Sequence, residues 1–232
     1  MLYVRLWQGH WRAVLRDDDL RAILWLILAG AVLLGLCMVF VGERSWGEAL
    51  HHAPLMAASA QTTTGFSTLD VVGLDAGSKL VLTGAMFVGG DAGSTAGGIK
   101  IGRLLVLVVV IRLVILRTRM PPHAVAEAQL YGRRIESPEV YAALSVVFLY
   151  VLVIAVSWLL FVAAGKPALE ALFEVTSATG TVGLSAGLSA PELAGPLKLL
   201  LTADMLMGRL EIVALIVLVN PRTWFGNRAE VL

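Results

Sequence analysis

The pentapeptide Thr63-Thr64-Gly65-Phe66-Ser67 returns in close variation as Thr181-Val182-Gly183-Leu184-Ser185. The offset of about 118 residues also pairs Ser59 with Ser177, Ala60 with Ala178 and Gly90 with Gly208, with no gap. Each copy follows a short apolar segment, Trp46 to Gln61 in the first case and Pro167 to Ala178 in the second, and precedes a longer one. A helix needs about 20 apolar residues to cross the hydrocarbon core, so neither short segment spans. Non-helical backbone is tolerated at membrane depth only where protein buries it or water lines it. A duplicated turn behind a duplicated half-crossing therefore restricts the chain to a narrow set of architectures.

Spans flank these units. Leu20 to Val41 is one crossing, and Val140 to Ala164 is another, opened by Ser137-Pro138-Glu139, which reads as a cap with proline in the first helical turn. Leu193 to Val219 is a third, ended by Asn220-Pro221. The region Ser78 to Leu116 is too long for one simple crossing: as a straight helix it would measure roughly 58 Å against a core of about 30 Å. It contains the run from Gly89 to Gly98, which predicts a helix broken in mid-membrane and continued beyond it. Ser45-x-x-Glu48 fits a capping box for the first short helix, and Pro167 stands where the second would begin. The fold class is thus an all-α membrane protein of two tandem units, each a span, a pore helix, a turn and a span. The boundaries fall at 1–19 (lead-in), 20–118 (first unit, turn 62–67, glycine loop 89–98), 119–136 (link), 137–220 (second unit, turn 180–185) and 221–232 (tail).

Composition agrees: 58% hydrophobic and 15% charged residues, against roughly 45–50% and about 25% in soluble domains. A net charge of +1 argues against a nucleic-acid partner. Cys37 is alone, which excludes an intrachain disulfide. No Ser/His/Asp set or metal cluster is apparent, and Gly98-Ile99-Lys100 does not end a phosphate loop; the sequence points to no enzyme and no tightly bound cofactor. Basic residues set the orientation. Arg5, Arg12, Arg16, Arg21, Arg117, Arg119, Arg133, Arg134, Arg222 and Arg228 lie on one side, and only Arg44, Lys79, Lys166 and Lys198 on the other. Both termini and the link are expected in the cytoplasm of a multi-pass plasma-membrane protein. Glu43, Glu48, Asp70, Asp75, Glu170, Glu174 and Glu192 would then make the outer face attractive to cations or serve as ordinary loop charge.

Both turns resemble the Thr-Val-Gly-Tyr-Gly filter of potassium channels, whose backbone carbonyls replace an ion's hydration shell. Three stretches extend the likeness to a family: Gln61-Thr62-Thr63-Thr64-Gly65-Phe66-Ser67, the run from Phe87 to Lys100, and Gly180-Thr181-Val182-Gly183-Leu184-Ser185 with Met207-Gly208-Arg209-Leu210-Glu211. Together they resemble the Trk/Ktr/HKT potassium transporters, most nearly the C-terminal half of the bacterial Trk membrane subunit. The resemblance implies that potassium is the transported ion and is held by carbonyls of Thr63, Thr64, Gly65, Thr181, Val182 and Gly183. Thr62, Phe66 and Leu184 complete the filters, and Thr62 and Thr179 support their backbone. Glycine at positions 65 and 183 goes with potassium preference.

The resemblance further implies that Gly89, Gly90, Asp91, Gly93, Ser94, Thr95, Gly97 and Gly98 form an intramembrane gate beneath the filters. Ser94 and Thr95 would satisfy freed backbone groups, and Lys100 belongs to the same element, either there or snorkelling with Arg103 and Arg112 toward the cytoplasm. Arg209 falls at the family's pore-facing arginine, as an electrostatic barrier below the filter that reaches the gate and, potentially, Asp91. Family members carry four such units around one pore, so the chain implies either a fragment or split chain lacking the first two, or two copies around an axis. Membrane lipid, a homodimer of complete transporters and a cytoplasmic nucleotide-binding regulatory subunit, received in part by the link, are the implied partners. The bacterial inner membrane is likewise implied by the resemblance alone. A sodium-permeable or weakly selective cation channel and a non-conducting regulatory half are the competing readings.

Overall fold

The structure, a computed structural model, describes residues 17–91, 94, 96–119, 121, 129–131 and 133–210, together with Trp7. Helix α1 (Asp18–Phe40) opens on Asp17, whose carboxylate accepts from the amides of Asp19 and Leu20. Helix α2 (Trp46–Gln61) opens on the capping box expected from its sequence: the Glu48 amide donates to Ser45 Oγ at 3.3 Å, and the Ser45 amide donates to the Glu48 carboxylate at 3.2 Å. Helix α3 (Ala76–Phe87) begins at Asp75, which accepts from the Ser78 amide at 2.8 Å. The chain then breaks, as the glycine run requires, and resumes as α4 (Ile101–Arg117).

Two short strands, β1 (Gln129–Leu130) and β2 (Arg133–Arg134), pair antiparallel in the link. This hairpin departs from the all-helical expectation. It turns through Tyr131 at φ 56°, whose hydroxyl donates to Asp19 at the start of α1. Burial, and then that bond, hold the Tyr131 phenol above its ordinary pKa. Helix α5 (Ser137–Ala163) has Pro138 in its first turn, but its cap is Glu136 rather than Ser137, and among the described residues no side chain makes the capping bond. Helix α6 (Ala168–Thr179) is preceded by Pro167 as its cap, and α7 runs from Gly195 to Leu210. The remainder of the third expected span, 211–219, lies outside the described residues.

Helices α1 and α5 are long and apolar enough to cross a membrane. Their outward side chains include Leu24, Leu28, Val32, Phe148 and Leu159, each more than half exposed, an apolar surface suited to lipid rather than water. At 12 residues, α3 measures about 18 Å and does not cross alone. Two cores organise the packing. Leu34 and Met38 of α1, Ala53 and Met56 of α2, and Leu82 and Met86 of α3 form the first, and Phe173, Val182 and Leu184 of the second unit complete it. Tyr150 and Ile154 of α5, Ala171 and Val175 of α6, and Leu197 and Leu201 of α7 form the second, with Ile99 from the broken helix. Each core borrows residues from the other half of the chain. That exchange brings the two short helices and their turns together.

Candidate functional site

The short helices end alike. After α2, the Thr63 amide donates to the Ala60 carbonyl at 3.3 Å and the Thr64 amide to the Ser59 carbonyl at 2.9 Å. After α6, Thr181 donates to Ala178 at 3.0 Å and Val182 to Ser177 at 2.9 Å. These are two Schellman endings, in which the residue past the cap takes a left-handed conformation and is usually glycine. Here it is threonine both times, at φ 53° for Thr63 and 52° for Thr181, and the glycine two residues on is also left-handed, at 79° for Gly65 and 93° for Gly183. A β-branched residue at positive φ is an outlier, and its occurrence at equivalent places in both turns marks a constrained backbone.

The turns touch. A β-carbon on Gly65 would lie 2.2 Å from the Val182 carbonyl oxygen, so only glycine permits this approach. Surroundings otherwise differ: Val182 and Leu184 are buried, whereas Thr64 is exposed and Phe66 is 71% exposed. Among the described residues, nothing lies within 4 Å of where a Gly183 β-carbon would be. Thr62 Oγ1 donates to the Ala58 carbonyl at 2.7 Å and lies 2.8 Å from Thr64 Oγ1. The buried Thr179 Oγ1 donates to the Val175 carbonyl at 2.8 Å, so both threonines tie to their own short helix.

The break between α3 and α4 is pinched at its neck. Gly89 donates to the Ile99 carbonyl and Ile99 to the Phe87 carbonyl, both at 3.0 Å, and the Gln61 amide nitrogen donates to the Val88 carbonyl at 2.5 Å. Gly89, Gly97 and Gly98 crowd together there, Gly90 and Asp91 follow half-buried, and Ser94 Oγ donates to the Asp91 carbonyl at 2.7 Å. Gly97 abuts the second turn: a β-carbon there would stand 2.2 Å from the Gly180 carbonyl oxygen and 2.6 Å from Thr181 Oγ1. Gly93 and Thr95 lie outside the described residues. Lys100 does not snorkel away from the loop. Its Nζ folds back to donate to the carbonyls of Ser94, at 3.1 Å, and Ala96, at 2.5 Å.

Arg209, near the end of α7, lines a cavity of about 600 Å³ beside the second turn, with Ser177, Thr181, Gly183, Thr202 and Glu174. Five of the acids expected at an outer mouth have structural partners. Glu48 caps α2, Asp75 caps α3, and Asp70 accepts from the Val72 amide at 3.0 Å. Glu170 pairs with Lys79 of α3 at 3.3 Å. Glu174 is 3% exposed and accepts from the segment after the second turn.

Sequence reading also passed over Asp204. It is fully buried in α7; its Oδ1 accepts from Ser157 Oγ of α5 at 2.8 Å, and its Oδ2 has no hydrogen-bond partner among the described residues. The signal was present, since a carboxylate inside an apolar span is costly and rare.

The fold is helical, with two helices among the described residues long and apolar enough to cross a membrane, and comparison with known proteins gives its family. Residues 20–224 match the TrkH family, described as cation transport protein; the chain belongs to that family. It is 31% identical over 213 residues to the Trk system potassium uptake protein TrkH of Salmonella typhimurium, covering 90% of this chain and 44% of that protein. It is 33% identical over 160 residues to an uncharacterised cation transporter of Methanocaldococcus jannaschii, covering 69% and 34%. The crystal structure of the potassium transporter TrkH from Vibrio parahaemolyticus superposes with a TM-score of 0.79 at 28% identity, over 90% of this chain and 45% of that one. The chain thus spans less than half the length of these relatives.

Proposed function

We propose that the chain is the C-terminal half of the membrane subunit of a potassium uptake system, and that it supplies two of the filters surrounding one pore. The pair of left-handed turns in contact through Gly65 and Val182 carries this reading. Left-handed residues at 63, 65, 181 and 183 support it, since alternating φ sign is what lets successive carbonyl oxygens share one side and replace a cation's water shell. Thr63, Thr64, Thr181 and Val182 are the principal carbonyl donors, with Gly65 and Gly183 beside them.

The chain divides into repeats 20–118 and 137–220 joined by the cytoplasmic link 119–136, with both termini cytoplasmic and the turns facing outward. The loop 89–98 is the gate, held by Lys100 and abutting the second filter through Gly97. Arg209 lines the cavity below that filter and opposes cation entry there. Two further repeats, from another chain or upstream sequence, close the ring; complete transporters pair as a homodimer, and a nucleotide-binding regulatory subunit engages the cytoplasmic link.

The test is uptake in cells lacking their own potassium systems, with this chain expressed alone and together with the two missing repeats. Potassium uptake that needs both halves and resists sodium competition is the expected result. Equal sodium uptake supports the weakly selective channel. No uptake from the joint expression, with both halves in the membrane, overturns the pore reading.

A further inference from the structure

The two filters are not braced equally. Glu174, on the buried face of α6, takes five donors from the segment that follows the second filter. Its Oε1 accepts from Ser185 Oγ at 2.5 Å and from the amides of Ala186, Leu188 and Ser189 at 2.9, 3.1 and 3.4 Å; its Oε2 accepts from Ser189 Oγ at 2.6 Å. An ionised carboxylate, an acceptor on both oxygens, matches such a set, and hydrogen bonds to a charged group are stronger than neutral ones. The same segment is fixed on its other side, where Gly187, at φ 95°, packs against Val72 of the first unit.

At the equivalent place in the first unit stands Met56, buried and apolar. Ser67, the counterpart of Ser185, turns its hydroxyl to the Leu69 carbonyl instead. An exposed contact between His52 Nδ1 and Thr68 Oγ1, at 2.9 Å, reaches that exit segment from α2.

We propose that Glu174 is a specificity-determining positioning residue, whose carboxylate clamps the exit of the second filter and makes it the stiffer and more discriminating of this chain's pair. The inference rests on the potassium-pore reading above. On the cavity-size account of filter selectivity, a carbonyl site favours potassium over the smaller sodium ion when its oxygens are kept from closing in, and a clamp behind the filter supplies that restraint.

The test compares Glu174→Met, which copies the first unit, with Glu174→Gln and the double variant Ser185→Ala/Ser189→Ala. Each is made in the chain co-expressed with the two missing repeats. Membrane abundance is measured alongside initial rates and half-saturation for rubidium and for sodium. Glu174→Met is expected to lower the potassium-type over sodium preference roughly tenfold or more, with sodium uptake kept or raised. Glu174→Gln keeps one acceptor oxygen but replaces the other by an NH2 that only donates, so it is expected to fall between the parent and Glu174→Met, as is the double serine variant. An unchanged preference in Glu174→Met at normal abundance overturns the proposal. So does a loss of both ions' uptake in simple proportion to abundance. If Glu174→Met does not reach the membrane, the double serine variant decides, and an unchanged ratio there overturns it. An unsubstituted assembly that carries no rubidium counts against the pore reading and not against the clamp.

Discussion

Replacing Gly65 by alanine should damage this chain far more than replacing Gly183, although the two glycines hold equivalent places. Both are left-handed, at 79° and 93°, so each alanine meets the backbone penalty of about 1–2 kcal/mol. The difference is steric. The new methyl at 65 would stand 2.2 Å from the Val182 carbonyl oxygen, where ordinary contact begins at 3.4 Å; at 183 none of the described residues lies within 4 Å. The turns must separate by roughly 1 Å, and overpacking of that kind costs about 1–3 kcal/mol more. Gly65→Ala should therefore lose about 2–5 kcal/mol and Gly183→Ala about 1–2. Thermal unfolding of the isolated chain in detergent measures both. A further consequence follows from the proposed function: if further repeats close a ring around the pore, position 183 gains a neighbour, and Gly183→Ala should then impair uptake as severely as Gly65→Ala. Equal destabilisation of the two variants in the isolated chain would refute the contact geometry.

Other outcomes follow from the same contacts. Lys79 and Glu170 join α3 to α6 with side chains 8% and 28% exposed, so Lys79→Met should cost about 1–3 kcal/mol, and a double-mutant cycle with Glu170→Gln should recover part of it. Lys100→Met releases the carbonyls of Ser94 and Ala96, and is expected to raise resting cation leak in a flux assay, with Lys100→Gln intermediate. Arg209→Ala removes positive charge from the cavity beside the second turn and should increase cation flux; an unchanged rate and ion preference would discard the proposed barrier role.

Local chemistry was legible wherever one stretch of chain decides it. The capping box at Ser45 and Glu48 fixed the start of α2, and the glycine run fixed the break between Phe87 and Ile101. The internal offset singled out both turns, because a repeated pattern survives even where individual residues drift. What escaped depends on distant partners. Glu174 reads in sequence as one more outer acid, and only the return of residues 185–189 over α6 makes it a buried acceptor. Lys100 reads as a snorkelling base until the loop folds beneath its ammonium. The hairpin at 129–134 comprises two-residue strands, too short to leave a periodic signal. Asp204 was different in kind, since its charge in an apolar run was visible and its Ser157 partner alone was not.

The most direct measurement is the position of a heavy potassium substitute in the assembled transporter. With rubidium exchanged into the complete protein, anomalous scattering should appear on an axis shared by the turns, next to the carbonyls of Thr63, Thr64, Thr181 and Val182, and should fade when sodium replaces it. Turns that face lipid or separate aqueous surfaces, with rubidium bound elsewhere or not at all, would contradict the account.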